Sequence, residues 1–188
     1  AFYRMPYDTI GSFSFITQTT STSLALVAAK SFGPSTPREL AEYAKKNPGT
    51  TFAGTSGVVR LAPVLFAQAA NVEMEYVPYR GSTAAHPDLI SGRVAIMFDT
   101  VPAALPHIQS GALKCLATTG VSRAPQLPDV PTMREAFDDS FVATTWGMVI
   151  APAGLPAPLL ARLNADCVAA LRRPEVIEKH KVLGAEIV

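Results

Sequence analysis

The residues with the clearest chemical potential form a turn of small residues, Gly54-Thr55-Ser56-Gly57, between an apolar segment and a helix-like segment. A strand ending at Gly54 and a helix beginning near Val59 would leave backbone N–H groups of this turn without intrahelical acceptors. Such N–H groups carry partial positive charge at a helix N-terminus and bind anions. The turn therefore predicts a site for a negatively charged group.

Three kinds of catalytic or metal chemistry do not fit the sequence. A nucleophile elbow requires Gly-x-Ser-x-Gly, but the second residue after Ser56 is Val58. A phosphate-binding P-loop requires a Lys that this turn does not have. The histidines lie on different predicted helices, without the spacing of metal ligands: His86, His107 and His180. The sequence predicts binding without catalysis, with no cofactor and no metal.

Composition limits the class of protein. The chain has 188 residues, 48% hydrophobic and 16% charged, with a net charge of +1. This length suits one large or two small domains, and near-neutral charge argues against a nucleic-acid partner. The sequence has no uninterrupted run of about 18 apolar residues, so it does not predict a membrane-spanning segment. The isolated Cys115 and Cys167 are typical of core side chains.

Secondary-structure signals alternate between strands and helices. Thr36 is a good N-cap, with Pro37 at the first helical position and Glu39 completing a capping-box pattern. Alternating strands and helices predict mostly parallel sheets with helices on both faces. Two extended crossings, near residues 28–34 and 144–151, predict two α/β lobes joined by two hinge strands.

Several motifs, in this order, resemble the extracytoplasmic solute receptors of tripartite tricarboxylate transporters, also called the Bug family. The motifs cover nearly the whole chain: PRELAEYAKKNPG from Pro37, GTSG from Gly54, YVPYRGS from Tyr76, SGRVAIMFD from Ser91, ALPHIQSGAL from Ala104, LPDVPT from Leu127, WG at Trp146 and APAGLP from Ala151.

The resemblance implies a fold similar to type II periplasmic binding proteins. Residues 1–33 would be a partial lobe I, 34–145 a nearly complete inserted lobe II, and 146–188 the return to lobe I. The chain would be a piece that lacks both ends, so that the absence of a signal peptide does not indicate a cytoplasmic protein. The implied function is capture of a small carboxylate in the periplasm: a di- or tricarboxylate, an aromatic acid or an acidic amino acid. The partners would be that ligand and, transiently, membrane transporter subunits, with the receptor itself a monomer.

The candidate ligand-binding residues come from both lines of reasoning. Strand-end position and the family's cleft loops point to Gly54, Thr55, Ser56, Gly57, Tyr79, Gly81, Ser82, Asp99, Thr100, Thr20 and Ser21. Asp99 would either accept from a ligand or cap the helix near Pro102. The loop after Gly57 looks shortened relative to the family, and Arg60 takes the place of a His. Arg60 is either a solvated surface residue or the partner of a bound carboxylate.

Two other classes stay open. The same two-lobe fold serves as the effector-binding domain of LysR-type transcriptional regulators, which carry a DNA-binding segment upstream. An enzyme can also use this architecture. The upstream sequence separates the regulator from the receptor, and turnover of a bound acid separates the enzyme.

Overall fold

The computed structural model describes residues 5–55, 57–182 and 184–188. The chain divides into two compact units. The continuous unit is Thr22–Thr145, and the split unit combines Ala1–Ser21 with Trp146–Val188. The sequence placed the first boundary between residues 33 and 34. The difference arises because Leu24–Ala29 pairs with strands of the continuous unit.

The described residues form alternating strands and helices. The strands are β1 (Phe13–Ala29), β2 (Thr50–Gly54), β3 (Met74–Pro78), β4 (Ile96–Thr100), β5 (Leu113–Thr118), β6 (Thr144–Pro152) and β7 (Glu186–Ile187). The helices are α1 (Pro37–Lys46), α2 (Gly57–Ala70), α3 (Ser82–Ile90), α4 (Val101–Gln109), α5 (Met133–Ala136), α6 (Ala157–Leu171) and α7 (Pro174–Val182).

The sheet of the continuous unit has the strand order β3-β2-β4-β1-β5. β2 pairs in parallel with β3 and β4, whereas β1 runs antiparallel to both β4 and β5. The strands β2, β3, β4 and β5 therefore run in the same direction. β1 lies between β4 and β5 and runs in the opposite direction. In this arrangement, the carboxyl ends of β2, β3 and β4 share one edge of the sheet.

Burial in the continuous unit follows the apolar strands. Every residue from Leu24 to Ala29 is at most 1% exposed, as expected for a central strand. Phe66 of α2 packs near Phe98 of β4, and the centroids of the two rings are 6.3 Å apart. Phe98 also stacks on Phe141 at 6.1 Å. These aromatic contacts fix α2 against the strand beside it.

The start of α1 confirms the cap predicted from sequence. The Thr36 hydroxyl accepts from the Glu39 N–H at 3.1 Å, and Pro37 occupies the first turn. The Glu39 carboxylate accepts from the Ser35 N–H at 2.7 Å, one residue earlier than in an ideal capping box.

In the split unit, β6 and β7 pair with the N-terminal half of β1. No residue of α6 is buried, and Trp146 of β6 is 60% exposed. Within the described ranges, no helix is both long enough and apolar enough to cross a membrane.

Candidate functional site

Three helix N-termini meet the same edge of the sheet in the continuous unit. β2, β3 and β4 end at Gly54, Pro78 and Thr100, and α2, α3 and α4 begin shortly after each of them. We call this edge the rim and define it by its partly or fully exposed residues: Thr55, Gly57, Gly81, Ser82 and Thr100. Because each helix directs its N-terminus to the rim, the backbone there has a positive potential.

The turn after β2 is held by an aromatic ring that sequence reasoning did not single out. The Tyr76 hydroxyl donates to the carbonyls of Gly54 and Thr55 at 3.3 and 3.4 Å. A Cβ at Gly54 would lie 2.8 Å from Cε2 of the same ring. Glycine at this position therefore lets Tyr76 pack against the turn. Gly57 has φ of +56°, a backbone conformation that favours glycine.

Two predicted residues of this turn have different outcomes. Ser56 lies outside the described residues. Arg60 lies in the first part of α2, and its guanidinium stands over the Tyr76 ring, 4.6 Å from the centroid. Stacking on an aromatic ring fixes the orientation of the guanidinium plane and leaves its N–H groups able to donate hydrogen bonds. Its contact with a ligand stays a prediction.

The Tyr79 side chain has a partner inside the protein. Its hydroxyl donates to Asp88 at 2.7 Å, and Arg93 pairs with the other oxygen of that carboxylate at 2.5 Å. Burial raises the pKa of Tyr79, and the bond to Asp88 raises it further, so that the hydroxyl stays protonated. The hydroxyl is therefore bonded to the last turn of α3, and a contact between Tyr79 and a ligand stays a prediction.

The Asp99 side chain is fully buried, at 0% exposure. One carboxylate oxygen accepts from the Ser82 hydroxyl at 2.6 Å and from the Thr100 N–H at 2.8 Å. The other oxygen lies 2.8 Å from Nε2 of His86. With these partners, Asp99 holds residues of the rim in place from inside the protein, and its direct contact with a ligand stays a prediction. Thr100, and not Asp99, is the N-cap residue of α4.

His86 received no role from the sequence, yet it completes this buried group. It is 6% exposed, and its ring meets that of His107 on α4 at 4.4 Å. The available signal was the spacing of Ser82 and His86, four residues apart on one helix face. Ser82, Asp99 and His86 do not form a catalytic triad, since the serine donates to the carboxylate and not to the imidazole.

Thr119 is another residue that sequence reasoning did not single out. It connects the segments around Leu24 and Ala143, which lie near the two ends of the continuous unit. Its hydroxyl accepts from the Leu24 N–H at 2.8 Å and donates to the Ala143 carbonyl. Its backbone N–H donates to the Leu24 carbonyl at 2.9 Å, and its carbonyl accepts from the Ala143 N–H at 3.1 Å. One residue therefore holds both strand passages in register.

Thr20 and Ser21 belong to the split unit. They pair with Ile187 and Glu186 across β1 and β7. A Cβ at Gly147 would lie 2.8 Å from Oγ1 of Thr20, which indicates that the Thr20 side chain packs against the backbone of Gly147. Both side chains are partly exposed, and their contact with a ligand stays a prediction.

Metal and thiol chemistry find no support in the part of the chain that the structure describes. No group of three His, Cys, Asp or Glu residues there could hold a metal ion. Cys115 and Cys167 are free thiols. Burial raises the pKa of Cys115 to about 12, so that this thiol is protonated and unreactive at neutral pH.

Comparison with known proteins identifies the family. The model of the tripartite tricarboxylate transporter family receptor matches residues 1–188. A Pseudomonas sp. (strain P51) protein, described as the UPF0065 protein in the tcbD-tcbE intergenic region, is 41% identical over 150 residues, which are 78% of this chain and 45% of that protein.

Two solved structures share the fold. An R. palustris protein with adipate has a TM-score of 0.85 and 31% identity, over 98% of this chain and 62% of that one. The periplasmic binding protein BugD has a TM-score of 0.81 and 32% identity, over 97% and 62% of the respective chains. The present chain thus spans about half to two thirds of the length of the proteins it matches.

These similarities confirm the predicted α/β fold of periplasmic-binding-protein type and the prediction that the family binds solutes and is not enzymatic. The chain belongs to the tripartite tricarboxylate transporter receptor family, the solute-binding receptors that include the Bug proteins.

Proposed function

We propose that this protein captures a small carboxylate at the rim of the continuous unit and delivers it to a membrane transporter. The observation that carries the proposal is the convergence of α2, α3 and α4, whose N-termini all begin at the carboxyl ends of neighbouring strands. Each N-terminus stabilises a nearby anion by about 0.3–1 kcal/mol, and more where the site is partly buried.

The polar groups of the rim suit binding rather than reaction. Thr55, Gly57 and Gly81 offer backbone N–H groups in positions typical of anion recognition, while the Ser82 hydroxyl proton is already donated to Asp99. We therefore assign Ser82 a contact through its backbone N–H. Water bridges would complete the coordination, as they do in many polar sites.

The family supports the proposed location and partners. The adipate-bound relative supports a carboxylate ligand, and the similarity to a periplasmic binding protein supports a periplasmic location. We assign the continuous unit to lobe II and the split unit to part of lobe I, with Thr20 and Ser21 as hydroxyl contacts. The receptor would act as a monomer and meet transporter subunits transiently.

Binding of a carboxylate panel to the full-length protein tests the proposal directly. Adipate, succinate, malate, citrate, benzoate and glutamate are each compared with the matching amide by thermal shift and calorimetry. A carboxylate at a hundred times its Kd should stabilise the native state by about 2.7 kcal/mol, whereas its amide should not. Equal shifts from amides and acids, or turnover of a bound acid, would contradict the proposal.

Substitution of Arg60 tests whether its guanidinium reaches the ligand. Loss of a charge-assisted contact in Arg60→Ala should weaken carboxylate binding about tenfold or more, because such bonds contribute about 1.5–3 kcal/mol. The control is Arg162→Ala in α6, whose side chain is 81% exposed and which should bind normally. Unchanged affinity in Arg60→Ala would show that the guanidinium does not contact the ligand.

The two other classes receive less support. A LysR-type effector domain shares the two-lobe fold, but the family whose model matches the whole chain is a transporter receptor. An enzyme would need an activated nucleophile or an acid–base pair. In the Ser82–Asp99–His86 group, the serine and the histidine both bond to the carboxylate, so that the histidine does not activate the serine.

A further inference from the structure

We propose that His86 and Asp99 are positioning residues for the rim and that capture of a carboxylate there is coupled to protonation of His86. The inference rests on the proposed function, because it concerns the same rim. Its geometric basis is the buried group formed by Ser82, Asp99 and His86, together with the second imidazole of His107.

The first step concerns how Asp99 sets the positions of two helix starts. Its carboxylate accepts from Ser82 at the first residue of α3 and from Thr100 at the N-cap of α4. Both helix N-termini are thereby tied to one fully buried side chain. A change in the charge or orientation of that carboxylate must reach the backbone N–H groups of the rim.

The second step concerns the proton on His86. An ionised carboxylate only accepts hydrogen bonds, so Nε2 of His86 must donate to Asp99 at 2.8 Å. A neutral His86 then leaves one negative charge buried below the rim. A second proton, on Nδ1, makes the pair neutral overall. His107, at 4.4 Å, disfavours simultaneous protonation of both rings.

The third step concerns the ligand. A buried negative charge under the helix N-termini competes with a bound carboxylate for the same positive potential. Protonation of His86 removes that competition, so that proton and ligand favour each other's binding. The affinity should therefore be greater at low pH and fall as the pH rises.

Other charged groups around His86 have partners of their own. Asp88, on the same helix, is bonded to Tyr79 and Arg93. From β4 the facing group is Asp99 and from α4 it is His107. β2, which packs beside α3, has the sequence Thr-Thr-Phe-Ala-Gly, without a titratable side chain. On β5, which packs against α4, Lys114 donates to the Phe32 carbonyl and to the Ser35 hydroxyl.

Calorimetry of the full-length protein with adipate and malate, from about pH 6 to about pH 8.5, tests the coupling. Titrations in buffers of different ionisation enthalpy measure proton uptake. Affinity should fall about tenfold across this range, with uptake of a fraction of a proton on binding. Absence of both effects in a protein that binds these acids overturns this inference and leaves the proposed function intact.

Two variants separate the proton from mere structure. His86→Gln keeps a donor for Asp99 but cannot be protonated, so its affinity should be independent of pH and similar to the weaker, high-pH value of the wild type. Asp99→Asn removes the buried charge and should bind at high pH as tightly as the wild type does at low pH. Melting curves at each pH check folding. A pH dependence retained in His86→Gln overturns the inference.

His180→Gln is the matched control. His180 lies on α7 of the split unit, where its Nδ1 bonds to the Val176 carbonyl. The same replacement there should leave the pH dependence unchanged. Loss of the dependence in His180→Gln would assign the titration to another site and overturn the role of His86. Absence of binding by any carboxylate, at any pH, would overturn the proposed function together with this inference.

Discussion

Replacement of Phe98 by alanine should lower the free energy of unfolding of the continuous unit by about 3–5 kcal/mol, the usual loss for a buried phenylalanine. The ring is 0% exposed and stacks on Phe141 while contacting Phe66 of α2. Its removal leaves a cavity between β4 and α2, the helix whose N-terminus forms part of the rim. Urea unfolding measures the effect as a lower midpoint at unchanged slope.

Phe15→Ala is the control for the same chemical change. Phe15 is 46% exposed, so its truncation should cost well under half of the loss at Phe98. Equal losses at the two positions would show that the described core does not hold α2 on the sheet. Carboxylate affinity should weaken in Phe98→Ala if the position of α2 matters for binding.

Thr119→Val should destabilise the continuous unit by about 2–4 kcal/mol. Valine has the shape of threonine but leaves the buried Leu24 N–H and the Ala143 carbonyl without their partner, and each unsatisfied group costs about 1–3 kcal/mol. Because Leu24 and Ala143 lie on the two chain passages, local opening should begin there. Hydrogen exchange at these two amides measures the local effect, and urea unfolding the global one.

The adjacent threonine offers a closely matched comparison. Thr118 is 0% exposed, and its hydroxyl has no hydrogen-bond partner among the residues that the structure describes. Thr118→Val should therefore be neutral or stabilising, since it removes a buried polar group without a partner. A loss in Thr118→Val as large as that in Thr119→Val would contradict the assigned hydrogen bonds.

Much of the architecture could be predicted because its signals are local. The cap formed by Thr36 and Glu39 depends on residues three positions apart. The small residues from Gly54 to Gly57 predict a turn whatever the rest of the fold. Apolar runs such as Leu24–Ala29 identify buried strands, because a strand in mid-sheet has no polar face. The order of several such signals also sufficed to indicate the family.

Boundaries and side-chain roles were less predictable. The sequence predicts the first lobe boundary between 33 and 34, whereas the compact units divide between 21 and 22, within the continuous strand β1. A single extended strand carries no local sign of the point where its pairing partners change. Strand-end position predicts ligand contacts for Tyr79 and either a ligand contact or a helix cap for Asp99, but it does not reveal the partners that both side chains have within the protein.

The sequence by itself determined the alternating elements, the small residues that follow β2, and membership in a family of solute receptors. Only the tertiary structure decided which side chains support that turn. Tyr76 reaches Gly54 across 22 residues, His86 reaches Asp99 across 13, and Leu24 reaches Thr119 across 95. The physical reason is that a hydrogen bond between distant segments depends on strand order and register, which no local pattern of residue types specifies.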